Sequence, residues 1–378
     1  MSEIKVNSIV DASGGSAVQV NGFTPTVSNM AGRNRIINGD MRIDQRNAGA
    51  AVTGISSGSN YITDRFSLVE ATDAVFTAQQ DTSAPSGFVN SLKITTTTAD
   101  ASIGATQYVF VVQRIEGTNT SDFGWGASGA STVTLSFWVR SSLTGTFSGA
   151  LSNGAFNYSY AFEYSISAAD TWEKKTITIS GPTAGTWLTT NGIGVQVIWS
   201  LGHGLNFDGT ANTWESAGDI GTSGSVAVAG TLNATFYITG VQLEEGSVAT
   251  PFEHRQYGQE LALCQRYYQK SYDYETVPGT NTTVGSVTSR GDASSTMTQH
   301  ALTTRFVVTM RAVPTMVLYS RSGTSGSVSD CGISATTENG TVSVSSLTGL
   351  GTNGLSCLSL STAAGPSISM QYTAEAEL

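Results

Sequence analysis

Charge is scarce in this chain. Asp, Glu, Lys and Arg make up 12% of its 378 residues, about half the ~25% usual in soluble domains. Lysine is the rarest cation, present only as Lys5, Lys93, Lys174, Lys175 and Lys270, and the net charge is −10. Phosphate neutralisation needs clustered Lys and Arg, so no nucleic-acid partner is expected. The three cysteines, Cys264, Cys331 and Cys357, lie far apart without CxxC spacing. That excludes a zinc knuckle or a disulfide framework and predicts free, mostly buried thiols. No apolar run approaches the ~18 residues of a membrane-spanning helix. The start "MSEIKVNSIVDASGG" has neither a basic region nor an apolar h-region, so synthesis in the cytoplasm is expected.

Catalytic motifs are missing too. No GxSxG, P-loop or GxGxxG stands between a strand-like and a helix-like run, there is no HExxH, and His203, His254 and His300 are isolated. Neither an enzyme, a cofactor nor a metal site is expected. Glu244 and Glu245 are adjacent, and neighbours on a strand point to opposite faces, so they cannot flank one glycosidic bond. Asp208, Glu215 and Asp219 share the polar stretch "GHGLNFDGTANTWESAGDI" with His203 and Trp214. A surface loop explains them better than a hydrolytic pair.

Glycine (42 residues) is abundant, and Thr, Val, Ser, Tyr and Phe outweigh helix formers. The class is therefore mostly β. Between 61 and 250, runs such as "ATQYVFVVQRI", "STVTLSFWVRSS", "NYSYAFEYSI" and "NATFYITGVQLEE" are separated by Gly, Ser, Asn and Thr clusters. This spacing is that of an antiparallel β-sandwich. In "STVTLSFWVRSS" the alternation puts Val133, Leu135, Phe137 and Val139 inward and Trp138 and Arg140 outward. All six tryptophans fall in this region, and most are expected in packing roles. An indole face stacks well on a pyranose ring, and Trp187, Trp199 and Trp214 lie near Asn191, Asn206 and Asn212. These three are the candidate carbohydrate-binding residues.

Against this background "GRNRIINGDMRIDQRNAG" (32–49) holds six charges in eighteen positions. Asn38-Gly39 is a turn signal. Beyond it Met41 and Ile43 alternate with Asp40, Arg42, Asp44 and Arg46. That face reads minus, plus, minus, plus and neutralises itself, which suggests an interface strand at a domain boundary. Residues 1–31 read as short strands that cannot bury an apolar face alone. They form either a loose tail or a segment that orders against copies of itself or a larger body. After Pro251 a helix is expected over 251–270, with Tyr257, Leu261, Cys264 and Tyr268 spaced four, three, four. This is either a coiled-coil seam or a lone helix packed on a sheet. Residues 271–378 return to β character, with "TRFVVTMRAVPTMVLYS" and "SISMQYTAEAEL" as strands and loops near 279–297, 321–340 and 349–366.

The segments "NRIINGDMRIDQRNAG", "YITDRFS", "LSFWVRSS", "ITGVQLEEGSVATPFEHRQYGQELALCQRYYQKSY" and "QYTAEAEL" resemble a family of bacteriophage tail fibre and related tail proteins. The sandwich is similar to jelly-roll carbohydrate-binding modules. The resemblance implies a virion protein made of a 1–31 attachment segment, a 32–250 jelly-roll domain, a 251–270 connecting helix and a 271–378 β tip. It also implies a homotrimer, with Tyr257, Leu261, Cys264 and Tyr268 as the trimer seam. Such a fibre would join other phage tail proteins through its N-terminus and meet a bacterial surface glycan or outer-membrane protein at its distal domains. A tail or capsid connector without receptor binding is the main alternative, and a polysaccharide-depolymerising tailspike the lesser one.

Overall fold

The computed structural model describes residues 32–290, 297–332 and 337–378. The expected attachment segment 1–31 lies outside the described residues. The chain opens irregularly and then runs through β1 (Val52–Ile55), β2 (Gly58–Thr63), β3 (Phe66–Glu70), β4 (Val75–Asp81), β5 (Ser91–Thr98) and β6 (Tyr108–Glu116). Next come β7 (Val133–Ser141), β8 (Gly145–Asn153), β9 (Ser159–Ile166), β10 (Glu173–Ile179), β11 (Ile193–His203), β12 (Trp214–Glu215) and β13 (Thr235–Glu245). These build a six-stranded sheet, β1-β4-β5-β13-β7-β10, and a seven-stranded one, β12-β9-β8-β11-β6-β3-β2. Every strand pair in them is antiparallel.

The two sheets close over one apolar core, as the expected sandwich does. Val133, Leu135, Phe137 and Val139 of β7 all point into it and are fully buried. The facing sheet answers with Phe147, Tyr164 and Trp199. Phe137 meets Tyr164 edge-on at 5.1 Å and Trp199 at 5.7 Å. Edge-to-face pairs of this kind add to the area they bury. Trp138, on the opposite face of β7, is half-buried beside Gly240 and Phe88.

A short helix, α1 (Tyr257–Gln265), leads to β14 (Tyr268–Lys270), β15 (Val287–Arg290), β16 (Met297–Arg305), β17 (Thr315–Tyr319), β18 (Ser327–Asp330), β19 (Gly340–Thr348), β20 (Gly354–Ala364) and β21 (Ser367–Glu375). They form a third sheet in the order β14-β21-β18-β19-β20-β16, with β15 and β17 also paired to β21. Its separate core gathers Phe306, Leu318, Leu358, Ile368 and Tyr372. Parts of the three expected loops are therefore strands, β15, β18 and β20. In the other direction, 306–314 in the expected strand pair is not a strand. The amides of Phe306 and Met310 bond instead to the carbonyls of Asn353 and Thr352.

The charged stretch is a joint, but not a strand. Asn38 and Met41 have φ of 59° and 58°, which breaks the alternation the sequence suggests. Gly39 is needed here because a Cβ would come within 2.2 Å of the Val241 carbonyl oxygen. The charges turn inward. Asp44 and Asp64 are buried. The Arg46 guanidinium stacks 3.9 Å from the Tyr268 ring centroid and pairs with Glu377 at 3.1 Å. Arg65 lies over the Tyr267 ring at 3.6 Å and binds Glu377 and the Arg114 carbonyl. Glu116 accepts from Arg266 at 2.6 and 2.9 Å and from the Tyr267 hydroxyl at 2.8 Å. Buried charges need partners of this quality to offset desolvation. Segments far apart in sequence, including "NRIINGDMRIDQRNAG", "YITDRFS", the helix region and the end of β21, meet at this one place.

Candidate functional site

Four half-buried aromatic rings gather at one edge of the sandwich. Trp214 sits in β12, which pairs with the start of β9 and so faces Tyr158 and Tyr160. Tyr158 stacks on Trp214 with an interplanar angle of 11° and centroids 5.8 Å apart. Trp187, in the loop between β10 and β11, meets Trp214 edge-on at 5.5 Å, and Trp125 meets Trp187 at 4.7 Å. Each indole N–H donates to a loop carbonyl: Trp125 to Ser131 at 2.9 Å, Trp187 to Ala184 at 3.0 Å and Trp214 to Ser180 at 2.7 Å. These bonds fix the ring planes while the rings stay partly open to solvent. A cleft of about 60 Å³ runs between Trp125, Trp187, Leu188 and Thr189. Pre-set aromatic faces beside hydroxyls and carbonyls suit the flat apolar side of a sugar ring.

The structure brings Trp187 and Trp214 together and removes Trp199. Trp199 is 0% exposed, wedged between Phe66 and Phe137 in the core, so it offers no face to a ligand. Trp125 and Tyr158 belong to the cluster and are not among the sequence candidates. Of the asparagines proposed beside the indoles, Asn191 turns away, exchanging hydrogen bonds with Arg311.

Comparison with known proteins gives partial overlaps. No family model and no curated protein matches the chain. Among solved structures, the enzymatically active domain of tailspike protein 4 from bacteriophage CBA120 is similar at 11% identity and a TM-score of 0.29. That overlap covers 56% of this chain and 21% of the tailspike. A family 11 carbohydrate-binding module from Clostridium thermocellum, in complex with a β-1,3-1,4-mixed-linked tetrasaccharide, is similar at 11% identity and a TM-score of 0.26, covering 53% of this chain and 99% of the module. The N-terminal cellulose-binding domain of Cellulomonas fimi β-1,4-glucanase C follows at 16% identity and 0.23, covering 49% and 90%.

The acidic loop is held by local bonds. Glu215 accepts from Thr210, and Asp219 from the Ser159 hydroxyl at 2.8 Å. Burial raises the Asp219 carboxyl above its ordinary value despite that bond. Asp208 lies 3.1 Å from His203 Nε2, whose Nδ1 is 2.7 Å from Ser200 Oγ. Although serine, histidine and aspartate follow one another here, the Ser200 hydroxyl is buried at a β11 irregularity and also takes the Gly202 amide. Burial lowers the His203 pKa. The chain of bonds pins the 204–208 loop onto the sheet. Glu244 is buried and accepts from Thr250 while Glu245 is exposed, so the two carboxylates diverge as expected.

The four seam positions do not share one helical stripe. The helix covers Tyr257–Gln265 rather than 251–270, and Tyr268 falls in β14. Cys264 and Tyr268 are buried inside the chain, Leu261 is half-buried, and only Tyr257 is well exposed, at 45%. Cys264 packs with Ile37, Ile43 and Tyr267. A nine-residue helix whose apolar side meets its own joint is the lone-helix alternative. The Asn38 amide donates to Glu260 on this helix at 2.5 Å, which ties the helix to the charged stretch.

Proposed function

We propose that the chain is a non-catalytic glycan-binding protein of a bacteriophage tail fibre. It would act as a homotrimer on the virion, joined to other tail proteins through residues 1–31 and engaging a bacterial surface glycan. The observation that carries the binding function is the partly exposed cluster of Trp125, Trp187, Trp214 and Tyr158. The tail-fibre setting rests on the resemblance of the quoted segments. Three weak sites on one fibre would gain by avidity what each lacks in affinity.

The test has two parts. Host surface polysaccharide titrated into the purified chain should bind, and Trp187→Ala or Trp214→Ala should each weaken binding about tenfold, the worth of one stacked ring. Unchanged binding in both variants would remove the site. Light scattering should give three times the 39.3 kDa chain mass; a monomer would instead favour a connector that assembles only on the particle.

A further inference from the structure

A second polar groove lies in the third sheet, away from the indoles. It holds about 310 Å³ where the β16–β20 pair is irregular and the chain turns through Thr352 and Asn353. That volume is at the small end of ligand pockets, which run about 300–1,000 Å³, and suits one or two sugar rings. Its lining includes Thr303, Arg305, Gly351, Thr352, Asn353 and Ser356. Arg305 is the only charged residue lining it, in a chain of net charge −10, and none of the lining residues is aromatic. Stacking therefore cannot be its mode of recognition.

The turn is arranged to donate. The carbonyls of Thr352, Asn353 and Gly354 already accept from the amides of Met310, Phe306 and Gly351. The N–H groups of Thr352 and Asn353 donate to nothing among the described residues. Thr309 Oγ1 donates to Asn353 Oδ1 at 2.8 Å, which leaves the side-chain amide nitrogen as the free end. Gly354 is required for this closeness, because a Cβ there would come within 2.1 Å of the Thr304 carbonyl oxygen. An arginine lining the same groove as unspent N–H donors favours an anion, and the fork of Arg matches a carboxylate with two parallel bonds. The surrounding hydroxyls match sugar hydroxyls.

We infer that this groove binds a carboxylated saccharide unit, with Arg305 on the carboxylate and the 352–353 turn on the ring hydroxyls. The inference deepens the glycan-binding function proposed above and places an acidic sugar at the third sheet.

The experiment titrates the full chain with glucuronate and galacturonate against glucose, galactose and inorganic phosphate, following NMR saturation transfer and calorimetry. The uronates should bind at least tenfold more tightly than the neutral sugars, and less tightly as salt rises. Arg305→Gln should lose that preference, and Arg305→Lys should recover only part of it. Gly351→Leu provides a second probe. A Cβ there meets nothing within 4 Å, so the variant should keep its melting temperature while its side chain obstructs the groove. Equal binding of glucose and glucuronate, or an unaffected Arg305→Gln, would overturn the inference. Phosphate binding as well as the uronates would overturn its saccharide part. Neutral-glycan binding lost in Trp187→Ala but kept in Arg305→Gln tests the indole site separately, so the two ideas fail independently.

Discussion

The sandwich and the third sheet are both antiparallel β structure, yet they are written in different residues. The sandwich strands carry Phe, Val, Ile and Trp on the face that meets the opposite sheet, and its core is closed from both sides. The third sheet's core relies on Leu, Ala and Met with two aromatic rings, Phe306 and Tyr372, 6.1 Å apart. Its β19 buries none of its residues fully, and Val342, Val344 and Leu347 are only half-covered. The comparison shows that strand pairing alone does not make a deep core; the supply of large apolar side chains does. It also locates the joint, where buried ion pairs lock the thinner region onto the thicker one.

The sharpest break in that comparison comes from the sandwich core. Trp199→Ala should cost about 3–5 kcal/mol in urea unfolding, whereas Trp187→Ala, half-exposed, should cost under about 1 kcal/mol. Equal costs would mean that burial does not separate the two indoles. Next, Arg65→Met keeps the volume but removes the charge that holds Glu377 and the Arg114 carbonyl, and should cost about 3 kcal/mol. Hydrogen exchange should then rise together in β3, β14 and β21 and stay low in the centre of β11. A uniform rise would show that the joint is no separate unit.

A pH effect of similar sign tests the same joint. Burial, helped by the nearby Asp64 charge, pushes the Asp44 carboxyl up from 3.8 to about 6, while the Asn47 and Gly49 amides and Arg46 oppose the shift. A carboxyl raised on folding contributes stability that is full below its unfolded pKa and is lost as pH rises through its folded one. This group should therefore withdraw up to about 3 kcal/mol as pH climbs from about 4 to 7. Asp44→Asn should flatten that slope relative to the parent chain; parallel curves would contradict it. The smallest effect is expected at Ser345→Ala on exposed β19, within about 0.5 kcal/mol in either direction, read as an almost unmoved melting temperature.

The sequence was legible where alternation was strong and the two faces differed. The β7 pattern of Val133, Leu135, Phe137 and Val139 is read correctly because large apolar side chains alternate with polar or outward ones. β18 (SVSD) holds a single apolar residue, and in β20 Gly, Ser and Thr interrupt the leucines on both faces, so these strands resemble loops. The 32–49 stretch misleads for another reason: the left-handed backbone at Asn38 and Met41 is invisible to a period-two count. The helix was detectable from the lack of breakers after Pro251, but neither of its ends was: it begins only at Tyr257, and Tyr268 keeps helical spacing while pairing with Glu375 in the third sheet. For the candidate site, residue type suggested indoles and context could have sorted them. Trp199 stands in the apolar run "GVQVIWSL", whereas Trp187 and Trp214 stand in the polar settings "AGTWLTTNG" and "ANTWESAG".

The ion pair between Arg65 and Glu377 spans 312 residues of chain, and this separation sets an order in time. At the ~5–20 residues per second of synthesis, Arg65 leaves the ribosome on the order of 15–60 s before its carboxylate partner exists. Tyr267, whose ring covers the guanidinium, is also still to come. During that wait the sandwich strands can already pair and exclude water, while the joint stays hydrated and open. The last strand thus acts as a clock for maturation: surfaces that close around the joint do so only after the third sheet has been made.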